Sequence, residues 1–319
     1  MNKTFVTGAA VVVVVAAAGG TYAVLHTPKR QFETNLTKMS KSDDNIANFN
    51  AKVSGDADAT AGVKGKIKID AKDKNKMDMV MTLNEKKKSQ TMRFKANKHT
   101  AYVSAAFLTS TYKTYGLGKM SKALKSIDHY WIKATDADAS YKNVKTTQVR
   151  SDADKTVKWF KDLDGSKFKK VSDGYQVKLN KADLKSLMTV VYKTKSGKEM
   201  TKSEWKEAKS SLDDIKNLKF NITLGDKGHL MKMYFSGKED GEVGRMNFKT
   251  TTKRDNNYRV KMPAKKDIKS TSQLMDIVED KMVDYYADQY GSDDFSSMYG
   301  SYDDDDSASS SSQSSTASI

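Results

Sequence analysis

Apolar and polar residues alternate with a period of two in five neighbouring stretches of the first third of this chain. Ala47, Phe49, Ala51 and Val53 oppose Ile46, Asn48 and Asn50, and Val63, Gly65, Ile67 and Ile69 oppose Lys64, Lys66 and Lys68. Met77, Met79, Met81 and Leu83 alternate with Asp78, Val80 and Thr82. Met92, Phe94 and Ala96 alternate with Arg93 and Lys95, and a fifth run occupies His99–Ser104. Successive side chains of a strand point to opposite faces, so each stretch reads as a strand with one apolar and one polar side. Neighbours of that kind predict an antiparallel meander covered on one face only.

Helical spacing takes over elsewhere. Phe32, Leu36 and Met39 predict a helix over 31–41, and Leu117, Met120, Leu124 and Ile127 form a helical stripe before the strand-like Tyr130-Trp131-Ile132. Ser151 with Asp154 opens a helix carrying Val157, Phe160 and Leu163. Phe168–Val171 and Tyr175–Leu179 flank Ser172-Asp173-Gly174, a hairpin signal. Asn180 caps a helix bearing Leu184, Leu187, Met188 and Val191. Thr201 with Glu204 is a capping box for a helix bearing Trp205, Ala208, Leu212 and Ile215. A second meander follows, with strands at Leu218–Leu224, Leu230–Phe235, Val243–Thr251 and Tyr258–Met262, and a last helix covers about 271–290. Helix, strands, helices with short strands and strands again predict an α+β fold with one large antiparallel sheet.

The only prolines are Pro28 and Pro263. Uninterrupted sequence between them favours a single domain over 31–263, followed by a C-terminal helix over 264–290. Residues 291–319, with Asp303–Asp306 and a serine run, lack the apolar content to fold and read as a disordered tail.

One stretch obeys neither period. Phe5 to Leu25 contains no charged side chain over 21 residues. That reaches the length a spanning helix needs, about 20 residues. Gly8–Ala18 also fits the shorter apolar core of a signal peptide, with Ala16-Ala17-Ala18 or Thr21-Tyr22-Ala23 as cleavage sites. Residues 1–30 are therefore a signal peptide or a signal anchor, and the positive groups on the two sides nearly balance. Either reading places the body outside a membrane. With no cysteine there is neither a lipid-modified cysteine nor a disulfide, which suits a Gram-positive envelope. Asn35-Leu36-Thr37 and Asn221-Ile222-Thr223 match the glycosylation sequon, a sequence that also arises by chance.

Charge is unevenly spread. Residues 271–319 carry eleven acidic groups against Lys281 alone, a net of −10, while residues 1–270 carry 55 basic and 29 acidic groups, a net of +26. This is a basic body with an acidic appendage.

Phe32–Met39 leading into Ile46-Ala47-Asn48-Phe49-Asn50-Ala51-Lys52-Val53, and Tyr130-Trp131-Ile132-Lys133 following an amphipathic helix, carry a resemblance over about 31–262. The order resembles the lipoprotein-carrier superfamily, the LolA- and LppX-like half-barrels. The resemblance implies a curved antiparallel sheet forming an open half-barrel, inserted helices on its concave side, and extracytoplasmic lipid binding. The chain departs from many extracellular members in lacking the lipid-anchor cysteine and in adding the acidic tail.

Catalytic patterns find little support. His26, His99, His129 and His229 lie far apart without metal-ligand spacing, and no nucleophile elbow or HExxH motif is present. Gly116-Leu117-Gly118-Lys119 lacks Walker spacing, and Asp162-Leu163-Asp164-Gly165 lacks a calcium-ligand series. The chain is read as a non-enzyme, with no cofactor and no metal.

Binding fits the pattern better. Met77, Met79, Met81, Met92, Met231, Met233 and Met246 fall on strand faces, and thioethers adapt to irregular apolar ligands. The same face equally serves as ordinary core beneath helices. Lys64, Lys66 and Lys68, with Lys86, Lys87 and Lys88, would form a cationic outer surface for anionic envelope polymers or lipids. Such attraction is worth roughly 1 kcal/mol per residue near an anionic surface. The alternative is a solvated strand face that discourages edge pairing. Nucleic acid is not expected outside a membrane.

Two functions follow. One is a membrane-associated, extracytoplasmic module holding a lipid-like or amphiphilic ligand. The other is a non-catalytic envelope protein, structural or adhesive, held to anionic polymers by its basic surface. If the −10 segment folds back on the +26 body, deleting 271–319 should raise binding to anionic liposomes at low salt, measured by co-sedimentation. Unchanged binding refutes the fold-back.

Overall fold

The computed structural model describes residues 27–55, 60–86, 88–98, 100–134, 146–192 and 201–290. The apolar stretch 5–25 and the tail 291–319 lie outside them. Among the described residues no helix is long and apolar enough to cross a membrane. They form an α+β fold with seven α-helices and one large, open, mixed sheet of twelve strands.

The chain begins with α1 (Pro28–Lys41), entered through the Thr27 cap and a proline at the first turn. The first meander is β1 (Ile46–Ser54), β2 (Thr60–Ile69), β3 (Met77–Glu85), β4 (Lys88–Ala96) and β5 (Ala101–Ser104). Then come α2 (Ala106–Thr114), α3 (Gly118–Ala123), β6 (Trp131–Ala134), α4 (Thr146–Asp162), β7 (Phe168–Val171), β8 (Gly174–Leu179), α5 (Lys181–Tyr192) and α6 (Lys202–Asp214). The second meander is β9 (Lys216–Leu224), β10 (Leu230–Glu239) and β11 (Glu242–Lys253), and the chain closes with β12 (Ile268–Lys269) and α7 (Thr271–Tyr290).

Across the sheet the order is β12-β6-β5-β4-β3-β2-β1-β11-β10-β9-β8-β7. Its centre is the antiparallel pair β1–β11, in register from Ile46 opposite Lys253 to Ser54 opposite Arg245. The hairpin from β10 to β11 turns on Asp240 (φ 49°) and Gly241 (φ 89°), the two left-handed residues that a two-residue hairpin turn requires.

Local capping explains several helix starts. Thr201 Oγ1 accepts from Glu204 N while the Glu204 carboxylate accepts from Thr201 N at 2.6 Å. Asn180 and Asp183 repeat that exchange before α5, each side chain accepting from the other's backbone N–H at 2.9 Å.

Three expectations need correction, and one helix, α2, was not expected. The sheet is mixed rather than wholly antiparallel, because β12 pairs parallel to β6. Tyr258–Met262 is not a strand. It runs as a strap, with Ala71 N–H donating to Tyr258 O and Val260 N–H donating to Asp70 Oδ2, so side-chain and loop groups replace a ladder. Helix α4 begins at Thr146, five residues before Ser151. Helix α2 carries little apolar periodicity and is fixed by its hydroxyls. Thr114 Oγ1 donates to Ser89 O at 2.6 Å, and Thr91 N–H donates to Ser110 Oγ at 3.0 Å. The sequon at Asn35 is also closed to a glycan, since that side chain is 1% exposed.

Helices α1, α4, α5 and α6 bury their apolar stripes on one face of β7–β11. Phe32, Phe160 and Phe168 meet at its centre, with ring centroids 5.5 and 5.3 Å from Phe32. At the opposite end Ala105, Met120, Leu124 and Ile127 pack with Leu274 and Val278 of α7 in a second, smaller core. Residues 271–290 of the acidic appendage are therefore part of this core, and deleting 271–319 removes Leu274 and Val278 along with the rest.

Asp70 fastens the strap. Its carboxylate accepts the backbone N–H groups of Val260, Asp73 and Lys72 at 2.8–3.0 Å, and these hold its pKa down at about 2. A carboxylate with a depressed folded pKa stabilises above its unfolded value near 3.9, and that contribution disappears as pH falls from there through about 2. D70N should lower Tm at neutral pH, and its deficit relative to the parent should shrink between about pH 4 and pH 2. A pH-independent deficit in thermal melts would show that the ionised form plays no part.

Candidate functional site

Register places all seven methionines singled out by periodicity on one face of the sheet. Met246 lies opposite Val53 and Phe235, Met233 opposite Phe248 and Ile222, and Met81 opposite Met92 and Gly65. Packing then divides them. Met231, Met233 and Met246 are 1%, 3% and 5% exposed and belong to the large core under the helices. Met77, Met79, Met81 and Met92 are half-buried and belong to neither core.

The four lie in a trough between the two helical clusters. On this face Phe49, Val63, Ile67 and Phe94 are also half-buried and outside both cores, and Leu83 is 38% exposed. Gly65 forms part of the floor: a Cβ there would stand 2.4 Å from Phe49 Cζ and 2.6 Å from Val80 O, so the Phe49 ring lies across the space that glycine leaves. At one end the trough deepens into a cleft of about 380 Å³ walled by Ala51, Val53, Ala61, Val63 and Leu83. Lys88 and Tyr115 stand on its rim, the ammonium 4.5 Å from the ring centroid. This size falls within the 300–1,000 Å³ of small-molecule pockets.

The opposite face is cationic, and it does not gather the expected lysines. Lys64, Lys66 and Lys68 project from β2 on this face, in register with Asn50, Asn48 and Ile46. Lys86 is the left-handed residue at the tip of the β3–β4 hairpin (φ 50°), Lys88 lies on the apolar side, and Lys87 lies outside the described residues. The five described lysines are therefore divided between the two faces and the hairpin tip.

Lys68 is drawn into a cluster beneath the strap that a carboxylate partly neutralises. Asp78 stands directly opposite both Lys68 and Lys95 and accepts from Arg93 Nη2 at 2.6 Å and Nε at 3.1 Å. The Lys68 ammonium sits 4.6 Å from the Tyr258 ring centroid. Lys95 donates to Lys261 O and lies 4.9 Å from the Trp131 ring centroid, and burial pushes its ammonium pKa down. None of these groups is exposed enough to act as a free surface cation except Arg93, which Asp78 holds.

The described histidines have structural partners. His229 Nδ1 lies 2.7 Å from Asp44 Oδ2, which also accepts from Thr252 Oγ1 at 2.5 Å, tying the α1–β1 connection to the β10–β11 hairpin. His129 Nδ1 lies 2.7 Å from Ser126 O. His26 and His99 lie outside the described residues. Among the described residues no group of three or more metal-ligating side chains converges.

Periodicity missed the cations Lys52, Lys232 and Lys249, which come together with Lys64 only through strand pairing. Neither a family model nor a curated protein matches the chain.

The two groups of methionines should respond differently to truncation. Met231→Ala empties space in a sealed core and should cost about 2–5 kcal/mol. Met79→Ala, half-exposed, should cost about 1 kcal/mol or less. Urea unfolding of the two variants checks the contrast, and equal losses would mean that the trough is core.

Proposed function

We propose that this protein is an extracytoplasmic, membrane-associated binding module whose sheet acts as an open half-barrel and holds a lipid-like or amphiphilic ligand. The carrying observation is the apolar trough across β1–β4, whose methionines belong to neither core and which among the described residues meets a helix only where α2 lies along β4. Contiguous apolar surface of this kind marks a binding site more often than a free surface. Four thioethers give it a wall that adapts to a flexible chain. Lys88 on the rim of the cleft suits a ligand with an anionic head, the ammonium meeting the head while the chain lies along Met81 and Met92. The uncharged stretch 5–25 supports a membrane-side location. The likeness of element order to the lipoprotein-carrier half-barrels supports the same reading, without identifying a ligand.

Titration of the full chain with a fluorescent long-chain fatty acid tests it. Saturable binding is expected, and Met79→Glu with Met92→Glu should weaken it at least tenfold, since each places a charge in apolar surroundings. Lys88→Gln should weaken it by a smaller factor and less so for an uncharged long-chain alcohol. Absence of saturable binding, or equal affinity in the double variant, would overturn the proposal.

A further inference from the structure

The lysine face carries a second site, independent of the trough and on the other side of the sheet. Strand pairing creates a row of side chains that no single segment of sequence contains. Lys64 of β2 lies opposite Asn50 of β1, Asn50 lies opposite Lys249 of β11, and Lys249 lies directly opposite Lys232 of β10. With strands about 4.8 Å apart, the row places Lys249 about 5 Å across the ladder from Lys232 and about 10 Å from Lys64. Like charges directly opposite one another destabilise a sheet. The same sheet shows the usual remedy two rows away, where Asp78 stands between Lys68 and Lys95. In the Lys64 row the intervening residue is a neutral asparagine.

Beside this row the face sinks into a depression of about 430 Å³, lined by Asn50, Lys52, Asn247 and Lys249 among other polar groups. Lys52, Lys64 and Lys249 are exposed and form no ion pair among the described residues. The one acid on the rim, Asp173, is taken by Lys232 at 2.5 Å, which holds the Asp173 pKa down. Asparagine amides between the ammonium groups add donors without adding negative charge. The depression has Tyr234 and Phe248 along its wall, but Phe248 points to the helix-bearing side, leaving one aromatic ring where a single-stranded nucleic acid would need a stacking series.

From this we infer that the Lys52–Lys64–Lys249 surface binds a linear phosphate-bearing polyanion without stacking bases, laid across the strands rather than along them. Each phosphate engaged releases condensed counterions, so affinity should fall steeply with salt.

Short-chain inorganic polyphosphate is the probe, titrated into the full chain by calorimetry at several salt concentrations. Binding with a log–log salt slope on the order of −2 to −3 is expected for three or four contacts. The K52Q/K64Q/K249Q variant should bind at least tenfold more weakly at low salt, and its slope should flatten by roughly 0.7–0.9 per lysine removed. Substituted side chains are exposed, so an unchanged Tm will confirm that the fold survives. K86Q/K88Q, which removes two positive charges at the hairpin tip and the cleft rim, should bind polyphosphate nearly as the parent does. Equal loss in both variants, no binding by the parent, or tighter binding of a single-stranded oligonucleotide of matched charge would overturn the inference. Fatty-acid binding should be the same in the K52Q/K64Q/K249Q variant and the parent, so failure here leaves the trough reading separately decided.

Discussion

Everything in this structure depends on one pairing, that of β1 with β11. The two strands are about 200 residues apart in sequence, yet they are in register over the whole length of β1. Without that ladder the chain would be two meanders, each with an unprotected edge. With it, β1 is bonded on both sides and becomes the middle of a twelve-stranded sheet. The entropy of closing so long a loop grows only slowly with length, about 0.6 kcal/mol per doubling, so the inserted helices between the meanders add little to that cost. A slip of one residue would exchange the faces of the whole first meander relative to the second. Ala47, Phe49, Ala51 and Val53 hold the register, because a slip would turn them from the apolar side to the lysine side.

The inserted helices explain why the two halves of one apolar face have different fates. Those following β6 and β8, together with α1, pack over β7–β11 and seal Met231, Met233 and Met246. Those around α2, α3 and α7 gather at the β5–β6 end. What remains is the stretch across β1–β4, apolar by sequence and met among the described residues only by α2 along β4, so its methionines stay half-buried. On the opposite face the strap from β11 to β12 performs a comparable division. It closes over Asp78, Arg93 and Lys95, with Asp70 holding it in place, and leaves the Lys64–Lys249 row to solvent.

Much of the fold was legible in the sequence because its strands are half-covered and therefore alternate cleanly. The start of β3, the end of β4 and the capping exchanges at Asn180 and Thr201 all follow from residues within a few positions of one another, whereas the hairpin end of β4 reaches back to Lys88, four residues before its alternation begins. Elements whose stability comes from elsewhere were not legible. The residues of α2 lack a helical stripe, and their hydroxyls find partners on β4 only after folding. Tyr258–Met262 has the composition of a strand, but the carboxylate of Asp70, 190 residues away from Val260, claims its backbone. The candidate sites divide in the same way. That seven methionines share a face is written in their spacing; that four of them line a trough is not. The run Lys86–Lys88 looks like a cationic cluster, yet a left-handed turn and the strand pleat send Lys86 and Lys88 to different places.

The sequence by itself determined the period of each segment, hence which side chains share a face, and the strong imbalance of charge between body and tail. Those are local properties, set by the two-residue repeat of a strand and by caps and turns within one or two turns of chain. Tertiary structure decided which part of the apolar face is core and which is trough. It also decided which lysines pair with an acid and which form no ion pair among the described residues. Both depend on cross-strand neighbours and on where helices land, and these are fixed by pairings between residues far apart in sequence, such as Asn50 with Lys249.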